Sequence, residues 1–175
     1  MKNITLWTVD PMHTSIAFTV RHLLITNVRG VFDDVSGTVA YDPKDIASST
    51  LSIDIPAKSI DTRQAQRDAH LRSPEFFDAE AHPVITFRST KVSEREILGE
   101  LTMRGITRPV TLSVAEITGE TKDHRGLTRM GASATAKVRR SEYGMTYNPV
   151  LEAGGVAVAD EIAITLDLSL VKNAA

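Results

Sequence analysis

The chain has 175 residues, of which 24% are charged and 42% are hydrophobic, and its formal net charge is −2 at pH 7. This is ordinary for a globular protein, so we expect residues 1–175 to form a single domain. The absence of cysteine excludes disulfides, iron–sulfur clusters and thiol catalysis. The basic residues are scattered along the chain, which argues against a nucleic-acid-binding surface.

The sequence shows neither a membrane-spanning segment nor a signal peptide. No apolar run approaches the ~20 residues of a transmembrane helix. The first residues, MKNITLWTVDP, contain one lysine and no apolar stretch long enough for a signal peptide. We therefore expect a protein that does not span the membrane and that is located in the cytoplasm.

Alternation of apolar and polar residues predicts β-strands along most of the chain. The predicted strands are 15–22, 28–41, 50–55, 84–89, 97–103, 110–114, 128–138 and 162–170. The strands on either side of the GITRP segment form a predicted hairpin. Strands with one apolar and one polar face indicate an antiparallel sheet, and their length favours a closed barrel over a flat sandwich.

One segment, residues 67–78, predicts a helix among these strands. Ser73 suits the N-cap of a helix, and Pro74 suits the first helical position. Phe76 and Phe77 follow at once, so at least one of the two rings should press onto the rest of the molecule. The segment is therefore predicted to cap one end of the barrel.

Small residues on the inner faces of the strands suggest a cavity inside the barrel. Ala132, Ala134 and Ala136 follow each other on one inner face, and Gly37 and Gly99 are predicted to point inward as well. A barrel of about eight strands either fills with side chains or holds one small ligand. The alternative to a cavity is that these small residues face bulky aromatic partners across a filled core.

Six segments read WTVDPMHTSIAFTVRHL, NVRGVF, SIDTRQAQRDAHLRSPEFFDAEAHPVITFRST, GELTMRGITRPVTL, RRSEYGM and VADEIAITLDL. With them the chain resembles, over essentially its full length, the YceI-like proteins, a bacterial lipid-binding family. The resemblance implies an all-β fold, namely an antiparallel eight-stranded lipocalin-like β-barrel with a short helical cap. It also implies a homodimer and a long polyisoprenoid or similar amphiphile held in the barrel.

A lipid tail in such a barrel would lie against the inward apolar side chains of the strands and the cap. The expected tail-binding residues are Ile16, Phe18, Val20, Ile53, Phe76, Phe77, Phe87, Leu101, Met103, Leu112, Met130, Ala132, Ala134, Ala136, Ile164, Leu166 and Leu168. The head group would sit at the mouth, where His22, Arg67 and His70 are the candidate partners. The alternative for Arg67 and His70 is a solvated helix face with local ion pairs.

Other chemistry finds little support in the sequence. None of the five histidines has metal-ligand spacing, there is no GxSxG motif, and no glycine-rich loop opens a helix. We therefore expect no metal and no cofactor. The predicted function is a carrier, storage or buffering protein for a quinone-type lipid or a prenyl diphosphate. The alternatives are an enzyme that acts on such a lipid with a cap histidine as acid or base, and a filled barrel that serves as an interaction module.

Overall fold

The computed structural model describes residues 3–152 and 155–174, which form twelve β-strands and one α-helix. The strands are β1 (Thr5–Val9), β2 (Ser15–His22), β3 (Thr26–Phe32), β4 (Ser36–Tyr41), β5 (Thr50–Pro56), β6 (Ile60–Asp61), β7 (Val84–Val92), β8 (Glu96–Met103), β9 (Ile106–Ile117), β10 (Thr121–Lys122), β11 (Thr128–Arg139) and β12 (Val158–Lys172). The helix, α1 (Ala65–Arg72), lies between β6 and β7 in the chain. Short 3₁₀ helices occupy Ile46–Ser48, Ala57–Ser59 and Arg140–Tyr143.

Eight of these strands close into a barrel. They pair antiparallel in the order β11, β9, β8, β7, β5, β4, β1 and β12, and the pairing of β11 with β12 completes the ring. Closure leaves the eight strands without an unpaired edge, which is the usual way for antiparallel strands to avoid edge-to-edge association. The predicted fold class, an antiparallel eight-stranded barrel with one short helix, is confirmed.

The long strand β12 divides the barrel into two halves. One edge of β12 pairs with β11, whereas its other edge pairs with β2 over residues 158–167 and with β1 over residues 170–172. Strand β3 pairs with β2, and the short β6 pairs with β3, so the sheet is extended beside the first part of β12. One half of the barrel is therefore walled by β1 and β4, and the other by β2 and β3.

The strand predictions need correction in the first part of the chain, and the two-residue strands β6 and β10 were not predicted. Strand β1 was not predicted, although Trp7 and Val9 are buried and alternate with the exposed Leu6. The single strand predicted at 28–41 is two strands, β3 and β4, because the chain bends at Asp33 and changes partners. Strand β3 pairs with β2, while β4 pairs with β1 and β5.

The predicted helix start at Ser73 is wrong, because Ser73 is the C-cap of α1. The N-cap is Gln64, whose side chain accepts a hydrogen bond from the Arg67 backbone N–H. At the other end, the Ser73 backbone N–H and hydroxyl both donate to the His70 carbonyl, at 3.1 Å and 2.6 Å. Pro74 lacks an N–H and restricts the residue before it, so Ser-Pro ends this helix where it was expected to begin one.

The hairpin between β8 and β9 is tighter than predicted. Met103 pairs with Ile106, so the loop consists of Arg104 and Gly105 alone, with φ angles of +55° and +73°. Two successive positive φ angles are typical of the two-residue turns that match the twist of antiparallel strands. The GITRP segment is therefore mostly strand, not loop.

The inward glycines do not leave empty space. A Cβ atom at Gly99 would lie 2.3 Å from the Phe87 ring, and one at Gly30 would lie 2.3 Å from the Phe18 ring. A Cβ atom at Gly37 would lie 2.4 Å from a backbone carbonyl oxygen of β5. These glycines allow rings and backbone to approach closely, so the expectation that Gly37 and Gly99 open a cavity is wrong.

Candidate ligand-binding site

The main cavity lies in the half of the barrel that β2 and β3 wall. Its volume is about 150 Å³, and its wall consists of apolar side chains from most strands and from the segment around α1, together with Arg140. The expected tail-binding residues that line it are Ile16, Phe18, Val20, Ile53, Phe76, Phe77, Phe87, Leu101, Met103, Leu112, Ala136, Ile164 and Leu166. The structure therefore brings together most of the side chains selected from the alternation pattern.

The other expected tail-binding residues lie elsewhere. Ala132, Ala134 and Leu168 line a separate void of about 50 Å³, towards the half walled by β1 and β4. Met130 lines neither space and is buried in the core opposite Leu170 of β12. Of the alanine run, only Ala136 borders the main cavity. Alternation along a strand predicts which residues face inward, but it does not predict how far along the barrel axis each residue lies.

Several residues that line the main cavity were not among the tail-binding residues expected from the sequence. Ile55 and Ile85 share the parity of the predicted Ile53 and Phe87, so alternation alone was sufficient to find them. Phe32, Ile60 and Leu71 also line the cavity. They belong to the end of β3, to β6 and to α1, whose positions were not predicted correctly.

Aromatic rings close the end of the cavity beside α1. Phe77 packs edge-on against Phe32, with centroids 5.7 Å apart, and Phe32 packs against Phe18 at 5.8 Å. Phe76 is buried and packs against Tyr147 at 5.5 Å, while Phe77 is half-buried. Both phenylalanines therefore cover the barrel end, as the cap prediction requires of at least one.

A second pocket of about 280 Å³ adjoins the main cavity at this end, and we call it the mouth pocket. His22, Arg67 and His70, the three expected head-group residues, all line it. It shares Phe18, Val20, Leu71, Phe76 and Val158 with the main cavity. An apolar chamber is thus continuous with a pocket that contains polar and cationic side chains.

Arg67 is held in place without a carboxylate partner among residues 3–152 and 155–174. Its Nε and Nη2 donate to the hydroxyl and carbonyl oxygens of Thr62, at 2.7 Å and 2.8 Å. The buried Asp68 carboxylate accepts from the Thr62 backbone N–H at 2.9 Å and so fixes the same loop. A guanidinium has five N–H donors, so Arg67 retains donors for a further acceptor. His70 differs, because its Nε2 pairs with the Glu75 carboxylate and its ring packs against Phe76.

A buried arginine anchors the segment that forms one side of the mouth pocket. Arg140 donates from Nη1 to the carbonyls of Met145 and Tyr147, both at 2.8 Å, and from Nε to Ala159 at 3.0 Å. Burial lowers the pKa of this guanidinium, because removal from water disfavours the charged form. The hydrogen bonds to backbone carbonyls are the compensation, and they hold Tyr147 at the pocket.

The strongest carboxylate perturbations lie at the opposite end of the barrel. Arg129 donates to Asp10 from Nη1 and to Asp123 from Nε, both at 2.6 Å. These hydrogen bonds lower the pKa of each carboxyl from 3.8 to about 2, with His13 contributing at Asp10. The cluster joins the loop after β1 to the β10–β11 hairpin and lies away from the mouth pocket.

Comparison with known proteins agrees with the fold. The family model described as YceI-like domain matches residues 7–170. This chain belongs to that family. UPF0312 proteins of Staphylococcus aureus strains N315 and USA300 are each 34% identical to it over 160 residues, which is 91% of this chain and 93% of theirs.

Solved structures of similar proteins share the barrel. The Campylobacter jejuni YCEI protein aligns with a TM-score of 0.73 at 28% identity, covering 88% of this YceI-like chain and 90% of its own. A structure described as a polyisoprenoid binding domain from Saccharophagus degradans, implicated in plant cell wall breakdown, aligns with a TM-score of 0.69. At 13% identity, over 95% of this chain and 98% of that one, the second likeness concerns the fold alone.

Within residues 3–152 and 155–174, no group of three or more histidine, aspartate or glutamate side chains is arranged to hold a metal ion. In the same part of the chain, α1 and the 3₁₀ segments are all too short to cross a bilayer.

Proposed function

We propose that this protein binds a long-chain polyisoprenoid or similar amphiphilic lipid, with a quinone-type or prenyl diphosphate head, as a carrier, storage or buffering protein. The observation that carries the proposal is the continuity of an apolar cavity with a pocket lined by His22, Arg67 and His70. Membership of the YceI-like family and the likeness to a polyisoprenoid binding domain support the ligand class.

The size of the cavity sets how the tail is accommodated. A cavity of roughly 150 Å³ holds a molecule as small as benzene, so the main chamber has room for about one isoprene unit. A longer chain must extend through the mouth pocket or displace side chains. Met103 and Met145 line the main cavity, and unbranched methionine side chains adapt to a new neighbour more readily than branched ones.

The apolar tail supplies most of the proposed binding energy. Each methylene that is fully buried contributes about 0.8 kcal/mol, and micromolar affinity requires about 8 kcal/mol after ordering costs. A tail of a few isoprene units is sufficient on this scale. The polar head then decides orientation, and Arg67 is the proposed partner of an anionic head because it lines the mouth pocket and retains unused donors.

The decisive experiment compares two ligands of equal tail length, a prenyl diphosphate and a neutral isoprenoid quinone. Charge-assisted hydrogen bonds contribute about 1.5–3 kcal/mol, so Arg67→Ala should weaken the diphosphate by roughly 10- to 150-fold and the quinone hardly at all. Arg63→Ala is the matched control, because Arg63 belongs to the same segment but does not line the pocket. Equal losses for both ligands would place the head elsewhere, and no binding of either would reject the proposal.

Mass spectrometry of organic extracts from the purified protein tests the ligand class without a choice of probe. Extraction of an isoprenoid lipid in stoichiometric amount is the expected result. An extract without lipid, together with no binding in titration, would favour a filled barrel that serves as an interaction module. A cytoplasmic location, a homodimer and a single domain over residues 1–175 remain predictions, which fractionation, sedimentation and limited proteolysis can check.

The second candidate function is an enzyme that acts on the same lipid. It is favoured by one observation, the pairing of His70 with the Glu75 carboxylate beside the mouth pocket, since a carboxylate commonly orients a histidine that transfers protons. The same pair is also explained as a clamp on the ring of Phe76. Phosphate release from a prenyl diphosphate that His70→Asn abolishes would establish the enzyme, and its absence in the wild type would support the carrier.

A further inference from the structure

Apolar side chains are exposed around the mouth pocket. We call Leu23, Leu24, Ile25, Tyr147, Val150 and Val156 the mouth patch. Leu24, Ile25 and Val150 are 63%, 70% and 86% exposed. The two loops that carry the patch are joined by a hydrogen bond from the Leu23 N–H to the Ala157 carbonyl at 2.8 Å, and Val150 pairs with Val156.

The turn between β2 and β3 places leucines at positions that are unfavourable for this residue type, both in backbone conformation and in exposure to water. Leu23 and Leu24 have φ angles of +52° and +60°, a region that glycine and asparagine adopt far more readily. Leu24 and Ile25 also present most of their apolar surface to water. Strained backbone concentrates at functional sites, and a cluster of exposed apolar side chains marks a surface that contacts another apolar phase.

The charges on the same hairpin suit an anionic surface. Residues 15–32 contain no aspartate or glutamate, and within the described part of the chain neither Arg21 nor Arg29 forms an ion pair. Arg21 pairs with Asn27 and Arg29 with Thr19, so both arginines lie on the outer face of the hairpin.

Acidic groups on the neighbouring elements are largely engaged elsewhere. On the adjoining strand β12, Asp160 accepts from Ser141 and Glu161 pairs with Lys137. Glu75 pairs with His70 at the mouth pocket, and Glu152, in the loop after Val150, is an exposed acid beside the patch. The arginines of the hairpin therefore face outward without a protein partner that would compete with a headgroup.

We propose that the mouth patch docks this protein on a lipid bilayer, with Leu24, Ile25 and Val150 entering the interface and Arg21 and Arg29 meeting anionic headgroups. The proposed role in lipid binding supplies the reason, because a water-insoluble ligand must pass directly between bilayer and cavity, but the docking itself needs no ligand. A second copy of the chain is the competing occupant. The two arginines, without a carboxylate partner among the residues that the structure describes, favour an anionic bilayer over that occupant.

Flotation with vesicles that contain no isoprenoid tests the docking apart from ligand binding. The wild type should float with phosphatidylcholine vesicles and more strongly when 30% phosphatidylglycerol is present. Leu24→Asn with Ile25→Ser should lower the partition coefficient about tenfold or more on both, because two apolar side chains no longer enter the interface. Met12→Ser with Leu127→Ser is the matched control at the opposite end of the barrel, and it should float like the wild type.

Charge is tested separately. Arg21→Gln and Arg29→Gln should each lower the partition coefficient about fivefold on the anionic vesicles only, since a basic side chain near such a surface contributes about 1 kcal/mol. A wild type that does not float, or patch variants that float unchanged while thermal melts show them folded, would overturn the proposal. A patch variant that converts a dimer into a monomer and floats like the wild type would assign the patch to a second copy and also overturn it.

Discussion

A larger side chain on the wall of the main cavity would show whether the chamber is vacant or is a packed core. Ala136 is buried and borders the cavity, whereas Ala134, two residues earlier on the same strand, borders only the void of about 50 Å³. A phenylalanine ring is the size of the benzene that a cavity of roughly 150 Å³ accepts. Ala136→Phe therefore introduces a side chain that the cavity of about 150 Å³ has the room to hold.

The expected change in stability follows from the two volumes. An empty cavity lowers the free energy of unfolding by about 24 cal/mol per Å³ of its volume. Filling the whole main cavity would therefore stabilise the fold by at most ~3.6 kcal/mol. Imperfect fit reduces this gain, and we expect Ala136→Phe to range from neutral to stabilising. In Ala134→Phe the ring exceeds its void, and overpacking should destabilise the fold by ~1–3 kcal/mol.

Urea unfolding and isoprenoid titration of both variants give the comparison. Ala136→Phe should lose lipid affinity by at least tenfold while keeping its stability, and Ala134→Phe should lose stability while keeping most of its affinity. If Ala136→Phe were destabilised as much as Ala134→Phe and still bound the lipid normally, the chamber would not be the ligand site. That result would refute the reasoning from cavity volume.

Two other predictions concern the cap and the opposite end of the barrel. Phe76→Ala should lower the free energy of unfolding by ~3–5 kcal/mol, and the half-buried Phe77 should contribute less, so equal small effects in urea unfolding would contradict the packing of the cap. Because the pKa values of Asp10 and Asp123 are lowered to about 2, their contribution to stability is complete above about pH 4 and is lost as the pH falls towards 2. Arg129→Gln should lower the melting temperature at pH 7 and flatten its decline between pH 4 and 2, and a decline as steep as in the wild type would assign the acid sensitivity to other carboxylates.

Alternation of apolar and polar residues was sufficient to predict the side chains of the barrel wall, because each strand has one solvent-exposed face and one buried face. Strand β12 illustrates this, with Ile162, Ile164 and Leu166 facing inward at every second position. The helix was misplaced for an equally local reason. Ser-Pro is compatible with either end of a helix, and the choice depended on Gln64, which is a weak N-cap signal compared with Ser73.

The three head-group candidates converge although they were selected on different grounds. His22 was chosen because it has the parity of the inner face, and Arg67 and His70 because they lie in the segment that closes the barrel. Their detailed roles were not predictable, since Arg67 is held by Thr62 whereas His70 is held by Glu75. Those contacts depend on the fold of the loops on either side of α1, which have no periodic pattern to read.

The position of the cavity depends on which strands share the edge of β12. In the half where β1 and β4 form the wall, Trp7 is fully buried. Towards that half, the inward Ala134 borders only a small void. Where β2 and β3 form the wall, the Phe18 ring folds back over Gly30, and the volume beyond it is not occupied by another large side chain. A small residue on an inner face is therefore no evidence for a cavity by itself. The volume opposite it is set by strands distant in sequence, and only Ala136 faces the half in which that volume is open.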